Sequence, residues 1–112
     1  MPIESLGQEG REKSGRILLV DDEPGVLQAL KRLFFRLYDV SLANSGQEAV
    51  DLLETEKFDI IISDMRMPGM SGAELLKHCF ENHPDMVRVL LTGYSDLDSA
   101  IKAVNEGNIY RY

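Results

Sequence analysis

The sequence has a single cysteine, Cys79, so no internal disulfide can form, which suits a reducing compartment. It has no apolar run approaching the roughly 20 residues that span a bilayer. Its N-terminus lacks the charged-then-apolar order of a signal peptide, so a cytoplasmic protein with no membrane partner is expected. Positive charge is scarce: 12 Lys and Arg against 19 Asp and Glu leave a formal net charge of −7. Such a field repels phosphate backbones and anionic headgroups, which argues against direct binding of nucleic acid. Internal repeats and low-complexity tracts are absent as well. What is present is 112 residues, 44% hydrophobic and 28% charged, enough for one globular core and too few for two catalytic domains.

Residues 1–15 are polar, Gly-containing and aperiodic, and read as a flexible leader to a domain spanning residues 16–112. Within that domain, short apolar runs alternate with segments of helical period. Residues 17–20, 60–62 and 87–91 are nearly continuous in branched apolar side chains, as strands buried on both faces are, while residues 38–43 alternate like an edge strand. Val26, Leu27, Leu30, Leu33, Phe34 and Leu37 make one helical stripe, and Leu75, Leu76, Cys79 and Phe80 make another. Ser45 with Glu48, Ser71 with Glu74, and Ser95 with Asp98 mark helix starts, each a capping hydroxyl followed three residues on by an acid that reaches back. The order βαβαβαβα with short connections predicts an α/β doubly wound parallel sheet covered by helices on both faces.

In such a sheet, ligands bind beyond the carboxyl ends of the strands. The residues placed there form a set: Asp21, Asp22 and Glu23 after the first strand, Ser63 and Asp64 after the third, Thr92 and Gly93 after the fourth. With neighbouring strands about 4.8 Å apart, the Asp21–Asp22 pair and Asp64 come within reach of one centre. Three carboxylates there need protons or a cation to compensate them, and an all-oxygen donor set selects Mg2+, Mn2+ or Ca2+. That points to phosphoryl chemistry, with an Asp carboxylate as nucleophile and the Thr92 hydroxyl donating to the product. Taken singly, each acid also reads as a helix cap, Asp22 ahead of Glu23 and Pro24 above all. Acids ending two buried strands, with a hydroxyl ending a third, do not reduce to capping. His78 and His83 read as solvated surface, Cys79 as core, and Met65, Met67 and Met70 as loop filling. Lys31, Arg32 and Arg36 read as the solvated face of the first helix.

The stretches ILLVDDEP, DIIISDMRMPGMSG and VLLTGYSD, the last followed by AIKAVNEGNIYRY, resemble the receiver domain of bacterial two-component response regulators. The resemblance implies a flavodoxin-like receiver fold and a signalling switch more than an enzyme. It implies Mg2+-dependent acceptance of a phosphoryl group from a sensor histidine kinase or phosphotransfer protein. Carried over residue by residue, it implies Asp64 as phosphoacceptor, Asp22 as a direct Mg2+ ligand and Asp21 as a ligand acting mainly through water. The main-chain carbonyl of Arg66 would complete the metal shell, Thr92 would be the switch hydroxyl, and Tyr112 falls at the switch aromatic. The family's Lys-Pro motif would follow just beyond Tyr112, so the chain reads as a receiver cut short before its fifth strand and closing helix. An open fourth-strand edge predicts a homodimer or an exchange of elements between protomers. The output domain or effector lies outside the chain; TGYSD and AVNEGNIYRY resemble receivers fused to cyclic-dinucleotide phosphodiesterases or transcription-activating ATPases.

An alternative is a phosphorylation-incompetent receiver acting as an interaction module, since the family's Lys is missing. An aspartyl-phosphate phosphatase fits less well, because Asp64 is followed by Met65 and Arg66 where such enzymes carry a second Asp two residues on. A nucleotide binder is disfavoured because Asp21, Asp22 and Glu23 would repel the phosphate at the first loop.

Overall fold

Four parallel strands, in the order β2-β1-β3-β4, make up the sheet among residues 13–92, which are the residues that the structure, a computed structural model, describes. The chain runs β1 Arg16–Val20, α1 Pro24–Phe34, β2 Asp39–Ala43, α2 Gly46–Thr55, β3 Ile60–Asp64, α3 Gly72–Asn82 and β4 Val87–Leu91. The helix signal at Ser95 and Asp98, and Gly93 and Tyr112, lie outside the described residues. Among the described residues no helix is long and apolar enough to cross a membrane.

Alternation along the strands divides the core in two. Leu18, Val20, Ile61 and Leu90 point toward α2 and α3, where they meet Ala49, Leu53, Leu75, Leu76 and Cys79. Ile17, Leu19 and Ile62 point the other way, onto Leu27 of α1 with Leu30 and Phe34 half-buried beside it. Cys79 is fully buried, as its place in the α3 stripe predicts, and burial pushes its thiol up to about 12.

The α1 stripe is narrower than its apolar residues suggest. Leu27, Leu30 and Phe34 lie along one line of the helix, whereas Leu33 falls roughly a quarter turn away at 3.6 residues per turn. Leu33 is accordingly 71% exposed, and Leu37, past the end of the helix, is 48% exposed. The helix also stops at Phe34: Phe35 caps it by donating its N–H to the Lys31 carbonyl (2.9 Å), and Leu37 and Tyr38 both donate to the Phe34 carbonyl, turning the chain into β2.

The predicted starts of α2 and α3 are found at Ser45 and Ser71. At Ser71 the reciprocal box is complete: its Oγ accepts from Glu74 N (3.2 Å) and Glu74 Oε1 accepts from Ser71 N (2.8 Å). At Ser45 only half forms, since Glu48 Oε1 takes the Asn44 N–H (2.5 Å) instead. Ser14 and Gly15, counted with the leader by composition, are hydrogen-bonded to the entry of β2: Ser14 N donates to Leu37 O in the preceding turn (2.5 Å) and Gly15 O accepts from Asp39 N at the start of the strand (2.9 Å).

Candidate functional site

The carboxyl ends of the strands are brought level by the register, which pairs Val20 with Ala43 on one side and with Ser63 on the other, and Asp64 with Leu91. Asp21 and Asp22 therefore leave β1 beside Asp64, the last residue of β3. One carboxylate oxygen from each of the three lies within 4.8 Å of the others. Asp21 is buried, Asp64 half-buried and Asp22 exposed. Neither acid after β1 caps α1 through its side chain. The N-cap is Glu23, which makes no side-chain cap bond, and Pro24 opens the helix without needing a donor partner. Asp21 Oδ1 accepts the Glu23 N–H (2.9 Å), which fixes the turn out of β1.

The electrostatics follow from this crowding. Burial pushes the Asp64 carboxyl above its ordinary value, and the nearby Asp21 and Asp22 carboxylates add to the shift; the main-chain N–H groups of Met65 and Arg66 oppose it. Asp21 is raised chiefly by burial, with repulsion from Asp22 adding and the Glu23 N–H opposing. A cluster of three carboxylates that raise one another, offering only oxygen, has the donor chemistry of a hard divalent cation.

The loop from Met65 to Ser71 shapes the far side. Met65 N donates to Leu91 O (3.0 Å), so the loop starts tied to β4, and its carbonyl accepts from Gly72 N (2.8 Å), so it ends tied to its own beginning. Gly69, at φ 81°, takes the left-handed conformation that a side chain would resist. Met67 is buried against the α2–α3 core, and Met70 sits where a Cβ on Gly46 would collide with it, joining the loop to the start of α2. Thr92 directly follows β4, one residue beyond the partner of Asp64, at the same edge. Arg66 is exposed on the loop.

Two residues at the site carry more than their sequence positions suggest. Ser63, expected at the sheet's edge, is inside β3 and fully buried, and its Oγ donates to the Asp64 carbonyl (2.9 Å). Gly72, which the sequence marks only as the residue after the cap Ser71 and the last of the stretch DIIISDMRMPGMSG, begins α3 directly against that carbonyl. A Cβ there would lie 2.1 Å from the Asp64 oxygen and 2.8 Å from Leu90 Cδ1. His78 and His83 face each other with ring centroids 6.3 Å apart near the end of α3 and take no part in the acidic cluster.

An acidic trio at the carboxyl edge of a parallel sheet, ordered β2-β1-β3-β4, is the setting in which the family comparison falls: the response regulator receiver domain matches residues 17–110. The chain belongs to this family. Among receivers and their parent proteins, it is 39% identical over 101 residues to the hydrogenase transcriptional regulatory protein HoxA of Cupriavidus necator. That match takes in 90% of this chain and 21% of HoxA, so the chain spans about a fifth of that relative's length. The receiver also superposes on the signal receiver domain of an HD domain-containing protein from Pseudomonas fluorescens Pf-5. There the TM-score is 0.81 with 39% identity, covering 91% of this chain and 81% of that one. The response regulator TrrA of Thermotoga maritima, crystallised in complex with Mg2+-BeF, gives a TM-score of 0.76 at 33% identity over 90% of this chain and 84% of its own.

Proposed function

We propose that this receiver accepts a phosphoryl group on Asp64 from the phosphohistidine of a sensor histidine kinase or phosphotransfer protein. The observation that carries the reading is the convergence of Asp21, Asp22 and Asp64 to within 4.8 Å at the end of β3. The carboxylates of these three residues, with the main-chain carbonyl of Arg66, would hold Mg2+. When bound, the ion neutralises the cluster and the oxygens of an incoming phosphoryl group. TrrA's structure with Mg2+-BeF supports this choice of ion for the fold.

Asp64 enters the reaction as a carboxylate. One of its oxygens forms a bond to phosphorus as the phosphorus–nitrogen bond of the donor breaks; the electron pair stays on the imidazole, which takes a proton from solvent. Attack of water on the acyl phosphate later releases inorganic phosphate and restores the carboxylate. The N–H groups of Met65 and Arg66 orient the Asp64 carboxyl throughout. The Thr92 hydroxyl donates to the new phosphoryl oxygens, drawing the end of β4 toward the site, and Tyr112 is assigned the part of the switch aromatic. The receiver acts as a cytoplasmic switch, and the transcriptional role in HoxA's name suggests transcription control as the output of a longer regulator.

Incubation with acetyl phosphate and Mg2+, followed by intact-mass spectrometry, tests the assignment. The expected result is one added phosphoryl group on the unmodified receiver, none on Asp64→Asn, and weakened Mg2+ binding by Asp22→Ala. Equal phosphate incorporation in Asp64→Asn would overturn it.

A further inference from the structure

Ser63 has a polar side chain with no access to solvent, and with Asp21 and Arg88 it makes up the buried polar or charged side chains among the described residues. Its neighbours across the register are Val20 and Leu90. By strand alternation its side chain shares the α2–α3 face with Ile61, while the side chain of Asp64 leaves from the opposite face. Ser63 therefore does not approach the carboxylate. It acts on the peptide behind it: Ser63 Oγ donates to the Asp64 carbonyl at 2.9 Å.

That peptide is held from three directions. Its N–H, on Met65, donates to Leu91 O of β4 (3.0 Å). Its carbonyl takes the Ser63 hydroxyl and is walled off by Gly72, where any Cβ would come within 2.1 Å. The next carbonyl, of Met65, is tied to Gly72 N (2.8 Å). A device of this kind has a physical purpose, because Asp64 is pressed toward two other acids and repelled by both. A peptide free to rotate would relieve that repulsion by swinging the carboxylate away from the site. Holding it there requires a grip on the backbone that leaves the reacting oxygens untouched.

We propose that Ser63, acting against Gly72, is a positioning residue for phosphoryl transfer: its hydroxyl locks the Asp64–Met65 peptide and so sets the direction in which the Asp64 carboxylate faces its partners. The inference rests on Asp64 being the phosphoacceptor. Ser63→Ala removes the lock while leaving every group that contacts the donor in place. With Mg2+ saturating, the maximal rate of labelling by acetyl phosphate is expected to fall about ten-fold, the scale set by small misplacements of a reacting group. The half-saturating acetyl phosphate concentration is expected to stay unchanged. Ser63→Thr, which restores the hydroxyl, is expected to recover most of the rate.

The rates are read on samples whose thermal melts show them fully folded at the assay temperature, so that lost rate is not lost protein. In Ser63→Ala, the backbone amide signals of Met65 and Gly72 in 15N-correlated NMR spectra are expected to move, since both groups flank the freed carbonyl. A wild-type labelling rate in folded Ser63→Ala overturns the proposal, as does a rate equally low in Ser63→Ala and folded Ser63→Thr. Unmoved Met65 and Gly72 signals would overturn it too. Labelling of Asp64→Asn in the same assay would instead strike the phosphoacceptor reading itself, so the two failures are distinguishable.

Discussion

Asp21 and Asp64 are both held above their ordinary carboxylate values, first by burial and then by neighbouring negative charge. A group raised in the folded state contributes stability that is fully present below its unfolded value, near 3.8, and is lost as pH climbs through the raised folded value. The metal-free receiver is therefore expected to melt at a higher temperature in mild acid than at neutral pH, as far as these two groups govern it. Asp21→Asn keeps the oxygen that accepts the Glu23 N–H and removes the charge. In EDTA at pH 7 it is expected to melt above the wild type. The same variant is expected to gain less from Mg2+, which at a hundred times its Kd adds about 2.7 kcal/mol to a folded state that alone binds it. Thermal melts of both proteins, with EDTA and with Mg2+ across pH 4 to 8, check each sign separately; a wild type that melts highest at neutral pH in EDTA contradicts the account.

At the scale of elements, the start of α3 links packing to chemistry. Its complete capping box fixes where the helix begins, and its first residue is the glycine that closes on the Asp64 carbonyl. Gly72→Ala would improve helix propensity by up to about 1 kcal/mol. The clash with a backbone oxygen and with Leu90 opposes this, and overpacking of a tight site costs about 1–3 kcal/mol. The net expectation is a lower melting temperature together with slower phosphorylation; a variant that is more stable and equally fast would show that the close approach is slack. The hydroxyl-acid signals at Ser45 and Ser71 made the starts of α2 and α3 readable in the sequence, because capping is local chemistry. The extent of α1 was less readable: a run of apolar residues at helical spacing says neither how wide the covered face is nor where the helix stops, and Leu33 ended outside the face and Leu37 beyond the helix. The acidic trio was readable because Asp64 ends one buried strand and Asp21 and Asp22 directly follow another. Ser63 and Gly72 were not, since their roles depend on a carbonyl and on Leu90, partners that no local pattern announces.

Across the described residues, both edges of the sheet are tied down, but only one of them carries the acidic trio. The carboxyl edge gathers repelling acids. The amino edge is fastened by Arg16, which pairs with Glu56, donates to the Lys57 carbonyl (3.0 Å) and stacks its guanidinium 4.8 Å from the Phe58 ring centre, while its own N–H reaches Asp59 Oδ2 (2.8 Å). Between the two ends lies the fully buried Cys79, the single cysteine of the chain, with its thiol pushed up to about 12. Only a thiolate is readily alkylated, and this one is both protonated and sealed in. The residue is thus a built-in clock: an alkylating reagent at pH 8 can mark it only during the moments when α3 lifts from the sheet, so the labelling half-time counts those openings. If the openings that expose it also release the metal site, Mg2+ at a hundred times its Kd should slow the clock about 100-fold. Labelling as fast as that of a free thiol would mean that α3 leaves the sheet far more readily than its buried contacts imply.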